Sequence, residues 1–416
     1  MATPLTPTDI GGLLQRAYAG DPNVQALFSK FPLWEMISKV GNSGGESFNM
    51  TCLYQAAVRV GSDPASIYGL IQRAPAAQFQ LTPKRQYGYS SIDGMAMVQA
   101  GTGMEKKALA SFINVCHAEN VAVTKTMAKL HALYLTRGGT GTLGNIDPTT
   151  TIGTAILILS RASDQYNFEE GQTLQLSATD GGVARAGSLI INSVPGNGTL
   201  VMSGNITAGV AAAAVNDFIV LIGEGQTQTF PGLKSWCPFS SAKGTFGGVD
   251  RTVAPRKLAG FYVDASVEGL TIDAAISAGL NRFKANEGEA SHGYLNPLDF
   301  EALAQTGATN VVVDQGGERE FGFKALSVVS DGSKVRMYED STVVQGECWL
   351  LKLDQLEMRF VGKAEIAIDD RDGLTLRKVG TNGADSWEMT FSTYPYGLCI
   401  KNGMAPGRVI CGVKLY

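Results

Sequence analysis

The stretch GGTGTLG at 138–144 contains the spacing G-x-G-x-x-G, in which glycine amides hold the pyrophosphate of a bound dinucleotide. That site requires a strand before the glycines and a helix after them. Here a regular apolar stripe over 104–136 predicts a long helix before the glycines, and Pro148 with its neighbouring threonines disfavours a helix after them. We therefore predict that these glycines end a helix and form a loop, with no nucleotide cofactor.

The histidines and the acidic stretch at 369–373 do not form a recognisable catalytic or metal site. His117 and His131 share the predicted helix but would lie about 21 Å apart along its axis, too far to bind one metal ion. The stretch DDRDG lacks the closing glutamate of a calcium-binding loop, and its Asp-Gly pair predicts a hairpin turn. None of the six cysteines forms a C-x-x-C pair. We predict no enzymatic activity, no catalytic residue, no metal and no cofactor.

The composition disfavours a nucleic-acid-binding or membrane-spanning protein. The 416 residues carry a net charge of −4, and their cations do not cluster as phosphate binding requires. The apolar runs TAILILS and DFIVLIG are too short to cross a bilayer, and MATPLTPTDIGG lacks the features of a signal peptide. Scattered cysteines fit a reducing cytoplasm. Fifty glycines and only 17% charged residues indicate many turns and large surfaces for other subunits.

Two alternating segments after the N-terminal region predict a long two-stranded ribbon. Residues 1–45 are expected to form an arm with short helices, one of them opened by Pro32. Alternation of apolar and polar residues then predicts a strand from about residue 46, and the segment 76–92 has a matching pattern. Between them, the tip at 61–75 is bounded by glycine and proline. An isolated ribbon is marginal in water, so we expect a neighbouring subunit to cover its apolar side chains.

The second half of the chain predicts several short strands and two further helices. Four strand patterns between 164 and 230 (TLQLSA, SLIINSV, TLVMSG and FIVLIG) indicate a small inserted β-subdomain. Helices are predicted at TIDAAISAGLNRFKANEG and at NPLDFEALAQTG, where Asn296 caps the second helix. The Asp-Gly pairs in SVVSDGSKVRMY and IAIDDRDGLTLRKV predict two hairpins.

The order of these parts resembles the major capsid proteins of tailed bacteriophages, which have the Hong Kong 97-type fold shared with herpesviruses. Local stretches are also similar to that family: NFEEGQTLQLSA, GLKSWCP, GGVDRTVAPRKLAG and YLNPLDFEALAQ. The resemblance implies an α+β fold with an N-arm, an extended two-stranded E-loop, a long spine helix, mixed peripheral and axial domains, and an inserted small all-β subdomain. It implies the following division of the chain: 1–45 N-arm; 46–93 E-loop; 94–163 spine helix and start of the peripheral domain; 164–230 inserted subdomain; 231–345 loop and axial domain; 346–416 return strands.

The function that this resemblance implies is structural. Such a subunit forms pentamers and hexamers of an icosahedral shell, the head, which encloses double-stranded DNA without sequence-specific binding. The partners would be other copies of the chain, with portal, decoration and separate scaffolding proteins as possible additions and no membrane. The virion would be the location, after assembly in the host bacterial cytoplasm. The tip at 61–75 has no lysine, which argues against the family's lysine–asparagine cross-link.

Nine residues are candidates for subunit contacts. Ile67, Tyr68 and Leu70 would bury apolar area from the ribbon tip, and Asp250-Arg251 would either orient a bidentate contact to a neighbour or lie in solvent. The full set is Arg59, Ile67, Tyr68, Leu70, Arg73, Lys84, Arg85, Asp250 and Arg251. Two other readings stay open. One is another phage structural protein, such as a tail tube or sheath, and the other is a β-rich enzyme whose site has no known motif.

Overall fold

The computed structural model of the chain describes residues 31–55, 76–93, 106–225, 228–305, 311–313, 325–330, 333–362, 366–369, 377–378 and 386–416. Helices and strands are mixed throughout these residues, as the predicted α+β class requires. The α-helices are α1 (Pro32–Met36), α2 (Lys106–Thr136), α3 (Ile206–Gly209), α4 (Leu233–Trp236), α5 (Pro255–Leu258), α6 (Ala265–Glu268), α7 (Ile272–Ala285) and α8 (Pro297–Gln305). No helix of the described part is long and apolar enough to cross a membrane.

The strands belong to six sheets of two to seven strands. They are β1 (Ser38–Ser43), β2 (Phe48–Leu53), β3 (Ala76–Leu81), β4 (Gln86–Asp93), β5 (Thr142–Asn145), β6 (Ile156–Ile158), β7 (Thr173–Ser177), β8 (Leu189–Ser193), β9 (Thr199–Met202), β10 (Phe218–Leu221), β11 (Thr245–Phe246), β12 (Val249–Asp250), β13 (Phe261–Asp264), β14 (His292–Leu295), β15 (Val311–Val313), β16 (Ala325–Ser330), β17 (Ser333–Glu339), β18 (Glu347–Leu351), β19 (Leu356–Val361), β20 (Ala367–Ile368), β21 (Arg377–Lys378), β22 (Ser386–Thr393), β23 (Pro395–Ile400) and β24 (Ile410–Lys414).

Helix α2 is the long helix that the apolar stripe predicts. Its 31 residues span about 47 Å. Near the middle of α2, strand β4 crosses close to the helix at Gly88, where a Cβ would lie 2.6 Å from the sulfur of Met127. Beyond the helix end, Gly139 has a φ of +74°, in the left-handed region that favours glycine. The prediction that the glycines follow a helix is confirmed; Gly138, Gly139 and Gly141 lie in a loop, whereas Gly144 lies in strand β5.

The second strand predicted for the ribbon, over 76–92, is divided into β3 and β4. Strands β2 and β3 pair antiparallel over their whole lengths, with Phe48 opposite Leu81. The pairing stops before Pro83, which has no amide hydrogen to donate, and β4 pairs with β22 in another sheet instead. Helix α1, which Pro32 opens as predicted, ends at Met36, because Ser38–Ser43 pairs with β19 in a parallel register.

The four strands predicted between 164 and 230 are confirmed as β7, β8, β9 and β10. They belong to a six-stranded sheet in the order β5-β10-β7-β8-β9-β6, so two of its strands precede residue 164. The alternation buries every second side chain on one face of this sheet: Leu157, Leu174, Leu176, Leu189, Ile191, Leu200, Met202 and Ile219. Because β5 and β6 cover the two edges, we propose that the inserted unit begins near residue 140.

Two fragments test where the inserted unit begins. We expect a fragment of residues 140–225 to show a β-type circular dichroism spectrum and a cooperative melt. The fragment 164–230 should remain unfolded, because it lacks β5 and β6 and leaves two long strand edges unpaired. Cooperative folding of the shorter fragment, or failure of the longer one, would contradict this boundary.

The C-terminal half is built on a seven-stranded mixed sheet, β13-β24-β18-β14-β17-β16-β15. Helix α7 packs on this sheet through Ile276, Leu280 and Phe283, which share a core with Leu350 and Val413. The predicted helices at 271–288 and 296–307 are confirmed as α7 and α8, and the amide of Leu298 donates to the Asn296 side chain.

One predicted hairpin is confirmed; the turn of the other, at Asp372-Gly373, lies outside the described residues, and the strands beside it pair elsewhere. Strands β16 and β17 pair antiparallel around the Asp-Gly pair of SVVSDGSKVRMY. In the second stretch, β20 and β21 each pair antiparallel with β22, at Phe391 and Glu388 respectively, and therefore not with each other. The long strand β22 offers both segments a hydrogen-bonding edge, and this edge outweighs the local turn preference of Asp-Gly.

Candidate assembly site at the ribbon base

The structure describes four of the nine predicted contact residues. Arg59, Ile67, Tyr68, Leu70 and Arg73 lie outside the described residues, as does residue range 1–30 of the predicted arm. Lys84 and Arg85 follow the ribbon, where the Lys84 amide donates to the Pro395 carbonyl at 2.9 Å. Arg85 is exposed, whereas Lys84 is half-buried and lines a cleft in the body of the subunit.

Arg251 takes neither of the two placements expected from the sequence. Its side chain is buried, and its guanidinium donates to the main-chain carbonyls of Ser235 at 2.7 Å and Gly244 at 3.2 Å, and also to that of Lys243. Five donors on a planar group can hold several carbonyls at once, so Arg251 closes the loop after α4. Asp250 remains exposed, and its carboxylate accepts hydrogen bonds from Thr252.

Substitution of Arg251 therefore tests an intramolecular role. We expect Arg251→Met to lower the free energy of unfolding by roughly 2–4 kcal/mol, because several buried carbonyls lose their donor. The adjacent Asp250→Ala should cost at most about 1 kcal/mol, since its carboxylate is exposed. Urea unfolding of the unassembled subunit measures both. Equal, small effects of the two substitutions would contradict the buried role of Arg251.

The ribbon base is held to the body by an aromatic cluster. The ring of Trp236 lies 5.0 Å from that of Phe79 in β3 and 4.8 Å from that of Phe246 in β11. The indole nitrogen of Trp236 donates to the Leu398 carbonyl at 2.8 Å, and the Gln80 amide donates to the Gly247 carbonyl at 2.8 Å. All three rings belong to the core or pack against it. These contacts fix the base of the ribbon, strands β2 and β3, to the rest of the subunit.

A cleft of about 740 Å³ opens beside this base. It lies between the end of the ribbon, the glycine loop after α2, helix α4 and the start of β18, and its charged lining residues are Lys84, Arg161, Asp180, Lys234, Arg251, Glu347 and Lys414. A second cleft of about 420 Å³ shares Arg161, Asp180 and Lys234 and continues toward Arg137. Gly141 has a φ of +79°, and a Cβ there would clash with the Glu224 carbonyl, which explains the glycine without a nucleotide.

The charges around the cleft are partly paired within the chain. Lys234 donates to Glu347 at 2.7 Å, and Lys414 pairs with Asp264 at 3.1 Å. Burial raises the pKa of Asp164, although the nearby charges of Arg137 and Arg161 partly oppose this. The buried Arg137 donates to the carbonyls of Leu133 and Thr342 at the end of α2. The cleft therefore presents fixed charges of both signs, with cations in excess.

His131, Cys52 and Cys237 of the described core are buried, and no metal-binding group is found among the described residues. No three of their histidine, cysteine or acidic side chains lie together as a metal site would require. Burial lowers the pKa of His131 to about 3 and raises that of Cys52 to about 11 and that of Cys237 to about 12, so these groups stay neutral at ordinary pH. The cleft lining therefore offers hydrogen-bond donors and acceptors and charges of both signs.

Sequence reasoning identified only part of this site. Lys84 was recognised through its basic pair, whereas Arg161, Lys234 and Glu347 lie 77 to 263 residues away along the chain and carry no local motif. They meet because the inserted sheet, α4 and β18 converge beside the ribbon.

Comparison with solved structures finds proteins with a similar fold. The chain is similar to the capsid protein of cyanophage A-1(L), with 12% sequence identity, 93% of this chain and 92% of that chain covered, and a TM-score of 0.56. Lower TM-scores of 0.42 and 0.40 relate it to the capsid of Myoviridae phage XM1 (8% identity, 96% and 97% covered) and to Mycobacterium phage Adephagia (10% identity, 99% and 98% covered).

The cyanophage match decides the fold, since the other two TM-scores are below 0.5. It confirms the predicted resemblance to phage capsid proteins at the level of the fold. No protein-family model matches the chain, and no curated protein sequence matches it.

Proposed function

We propose that this chain is the structural subunit of an icosahedral shell, the head of a tailed bacteriophage, in which it forms pentamers and hexamers around double-stranded DNA. The observation that carries the proposal is the similarity to a cyanophage capsid protein over 93% of this chain and 92% of the other. A similarity over nearly the full length of both chains favours a whole shell subunit over a shared domain.

The parts of the fold have natural roles in this proposal. The arm at 1–45 and the ribbon at 46–93 act as N-arm and E-loop, and helix α2 acts as the spine helix of the peripheral domain. The seven-stranded sheet forms the axial domain, which surrounds the five-fold and six-fold axes. The six-stranded sheet is the inserted subdomain. We propose contacts with other copies, and with scaffolding, portal and decoration proteins, rather than with a substrate.

Elementary physics supports an assembling role. A two-stranded ribbon is marginal by itself in water, so we expect a neighbouring subunit to cover its apolar side chains. Head-to-tail contacts of such a ribbon with the next subunit generate closed rings. The net charge of −4 disfavours adhesion of the shell wall to packed DNA.

Electron microscopy and analytical ultracentrifugation of the expressed full chain test this function. Closed particles with pentameric and hexameric capsomers are the expected result, formed by the chain alone or with a scaffolding protein encoded beside it. Open tubes of stacked rings would instead indicate a tail tube or sheath. A monomer that remains monomeric with its natural neighbours present would contradict the proposal.

A further inference from the structure

We propose that the outer face of strands β6, β9 and β8 binds the same face of a second copy of this chain across a two-fold axis. The inference rests on the proposed function, because it names a surface through which subunits of the shell meet. It concerns neither the ribbon tip nor the cleft. This surface, the neutral face, consists of Ile156, Ile158, Ile190, Asn192, Thr199, Val201 and Ser203.

The inserted six-stranded sheet closes on itself, so one set of its side chains faces inward and the other faces outward. Just beyond the ends of β5 and β6, Ile146 pairs antiparallel with Leu159. This pairing joins the two outermost strands of the order β5-β10-β7-β8-β9-β6. The inward side chains of β6, β8 and β9 are buried: Leu157, Leu189, Ile191, Leu200 and Met202. The interior is therefore filled without the outward set.

The outward side chains of β6, β8 and β9 are largely apolar and accessible. Ile156 and Ile190 are 50% and 47% exposed, and Ile158 and Val201 are half-buried. Ile156 lies opposite Val201 on the neighbouring strand, so the two side chains share one surface. All four lie outside the core cluster that fills the closed sheet. Neighbouring apolar side chains on the outside of a filled sheet are typical of a surface that another chain covers.

The neutral face lies opposite the strands that connect the closed sheet to the rest of the chain. The chain enters the sheet at β5 and leaves it after β10, and these two strands pair with each other. In the closed order, β8 and β9 are the strands farthest from that pair. Another subunit can therefore approach the neutral face without displacing the connections.

The neutral face also carries no charged side chain. Residues 148–160 and 186–216, which contain all of β6, β8 and β9, have no lysine, arginine, aspartate or glutamate. Its polar members, Asn192, Thr199 and Ser203, bear groups that both donate and accept hydrogen bonds. Across a two-fold axis the same patch supplies both sides of the contact, so a charge near the axis would meet a like charge. A face of neutral groups that are both donors and acceptors is complementary to itself.

The size of the neutral face favours a second copy over a separate protein. Three neighbouring strands of up to five residues cover about 15 by 17 Å, so the contact buries roughly 500 Å² in total. A stable contact between two free proteins buries about 1,200–2,000 Å². A separate protein held by this face alone would dissociate readily, whereas subunits of a shell are joined by other contacts as well. We therefore expect the neutral face to join copies within a particle and to leave the dilute subunit monomeric.

Opposite charges at the centre of the neutral face test the self-contact. Val201 lies on the middle strand of the face, closest to the proposed axis. We expect Val201→Glu and Val201→Lys each to reduce the yield of closed particles at least tenfold, because each contact then brings two like charges together. The circular dichroism spectrum of the subunit should not change. Co-expression of the two variants should raise the yield at least fivefold above that of either one, because opposite charges then meet.

Val183 provides a matched control in the same closed sheet. It is 75% exposed and lies in the connection between β7 and β8, outside the neutral face. Val183→Glu and Val183→Lys should each assemble normally. Normal particles from either Val201 variant, an equal loss in the Val183 variants, or a co-expression that restores nothing would each overturn the inference. Wild-type particles under the same conditions leave the proposed function intact, so the two failures are distinguishable.

Cross-linking measures the contact even where the Val201 charge variants do not fold or the wild-type chain forms no particles. Val201→Cys is made in a Cys116→Ser background, in which the remaining cysteines are buried. A short bismaleimide should join two copies within particles. Where no particles form, it should do so with subunit at about 1 mM, where contacts of millimolar affinity are populated. Val183→Cys should remain uncrosslinked under the same conditions. Absence of a dimer from Val201→Cys, or as much dimer from Val183→Cys, contradicts the inference. A cross-link from Val201→Cys to a different protein of the particle, without a dimer, would instead assign the face to a separate partner.

Discussion

Replacing residues 62–74 with a short Gly-Ser turn is expected to leave a soluble, folded subunit that no longer forms closed shells. The reason is the apolar content of the ribbon tip, where Ile67, Tyr68 and Leu70 follow one another closely. Each of these side chains contributes roughly 1.5–3 kcal/mol when fully buried against a neighbour. Since every subunit of a shell repeats the contact, its loss decides whether capsomers stay together. Electron microscopy and sedimentation velocity measure the outcome.

The described part of the ribbon explains why the subunit should survive this deletion. Met50 and Cys52 of β2 and Phe79 and Leu81 of β3 are buried in the main core, and the two strands pair with each other over their full lengths. A short turn can therefore replace the tip. The stability of the deletion variant should lie within about 1 kcal/mol of the parent, as for other exposed loops.

Point substitutions in the tip separate its apolar contacts from its length. Ile67→Asp should prevent assembly as the deletion does, whereas Ser66→Ala, one residue away, should assemble normally. Normal particles from the deletion variant would show that the tip is not required for assembly. A deletion variant that cannot fold would indicate that the tip belongs to the core of the subunit.

The elements that the sequence predicts well are those whose signals are local. Helix α2 is identified by one apolar stripe, and strands β7 to β10 by alternation between glycine-rich turns. The glycines at 138–144 are placed correctly because the order of helix, loop and strand excludes a dinucleotide site. In each case the residues that carry the signal are neighbours in the chain. Their secondary-structure propensity and the burial of their side chains therefore indicate the same element.

The elements that the sequence does not predict depend on partners far away in the chain. The Asp-Gly pair at 372–373 has the local preference of a hairpin, but β20 and β21 pair with β22 instead. From its local sequence Arg251 is expected to be accessible to solvent or to a neighbour. Its side chain instead donates to main-chain carbonyls between seven and sixteen residues earlier in the chain. The cleft combines residues from Gln80 to Tyr416, and nothing in their local sequence marks them as neighbours.

Trp236→Ala is expected to lower the free energy of unfolding by about 3–5 kcal/mol, the largest effect of any single substitution considered. Trp236 is fully buried, and its ring joins β3 of the ribbon to the β11–β12 hairpin, while its indole nitrogen bonds to β23. Truncation creates a cavity at the meeting point of three separate segments. The matched variant Trp236→Phe keeps most of the ring contacts and loses the hydrogen bond, so it should cost about 1–2 kcal/mol.

The position of Trp236 also predicts which region of the subunit loses stability first when the indole is removed. Because the ring of Phe79 packs on Trp236, removal of the indole frees the ribbon base before helix α7 and the sheet face beneath it, whose buried residues form a separate cluster. Hydrogen exchange should therefore accelerate at the Gln80 amide, which bonds to Gly247, and remain slow at amides of α7, whose buried residues belong to the separate cluster. A uniform increase across both regions, or a cost below 1 kcal/mol, would contradict the view that this aromatic cluster holds the ribbon. If the ribbon base is no longer held in place, the ribbon tip is not positioned to contact a neighbouring subunit. Trp236→Ala subunits that still fold should therefore assemble as poorly as those lacking residues 62–74.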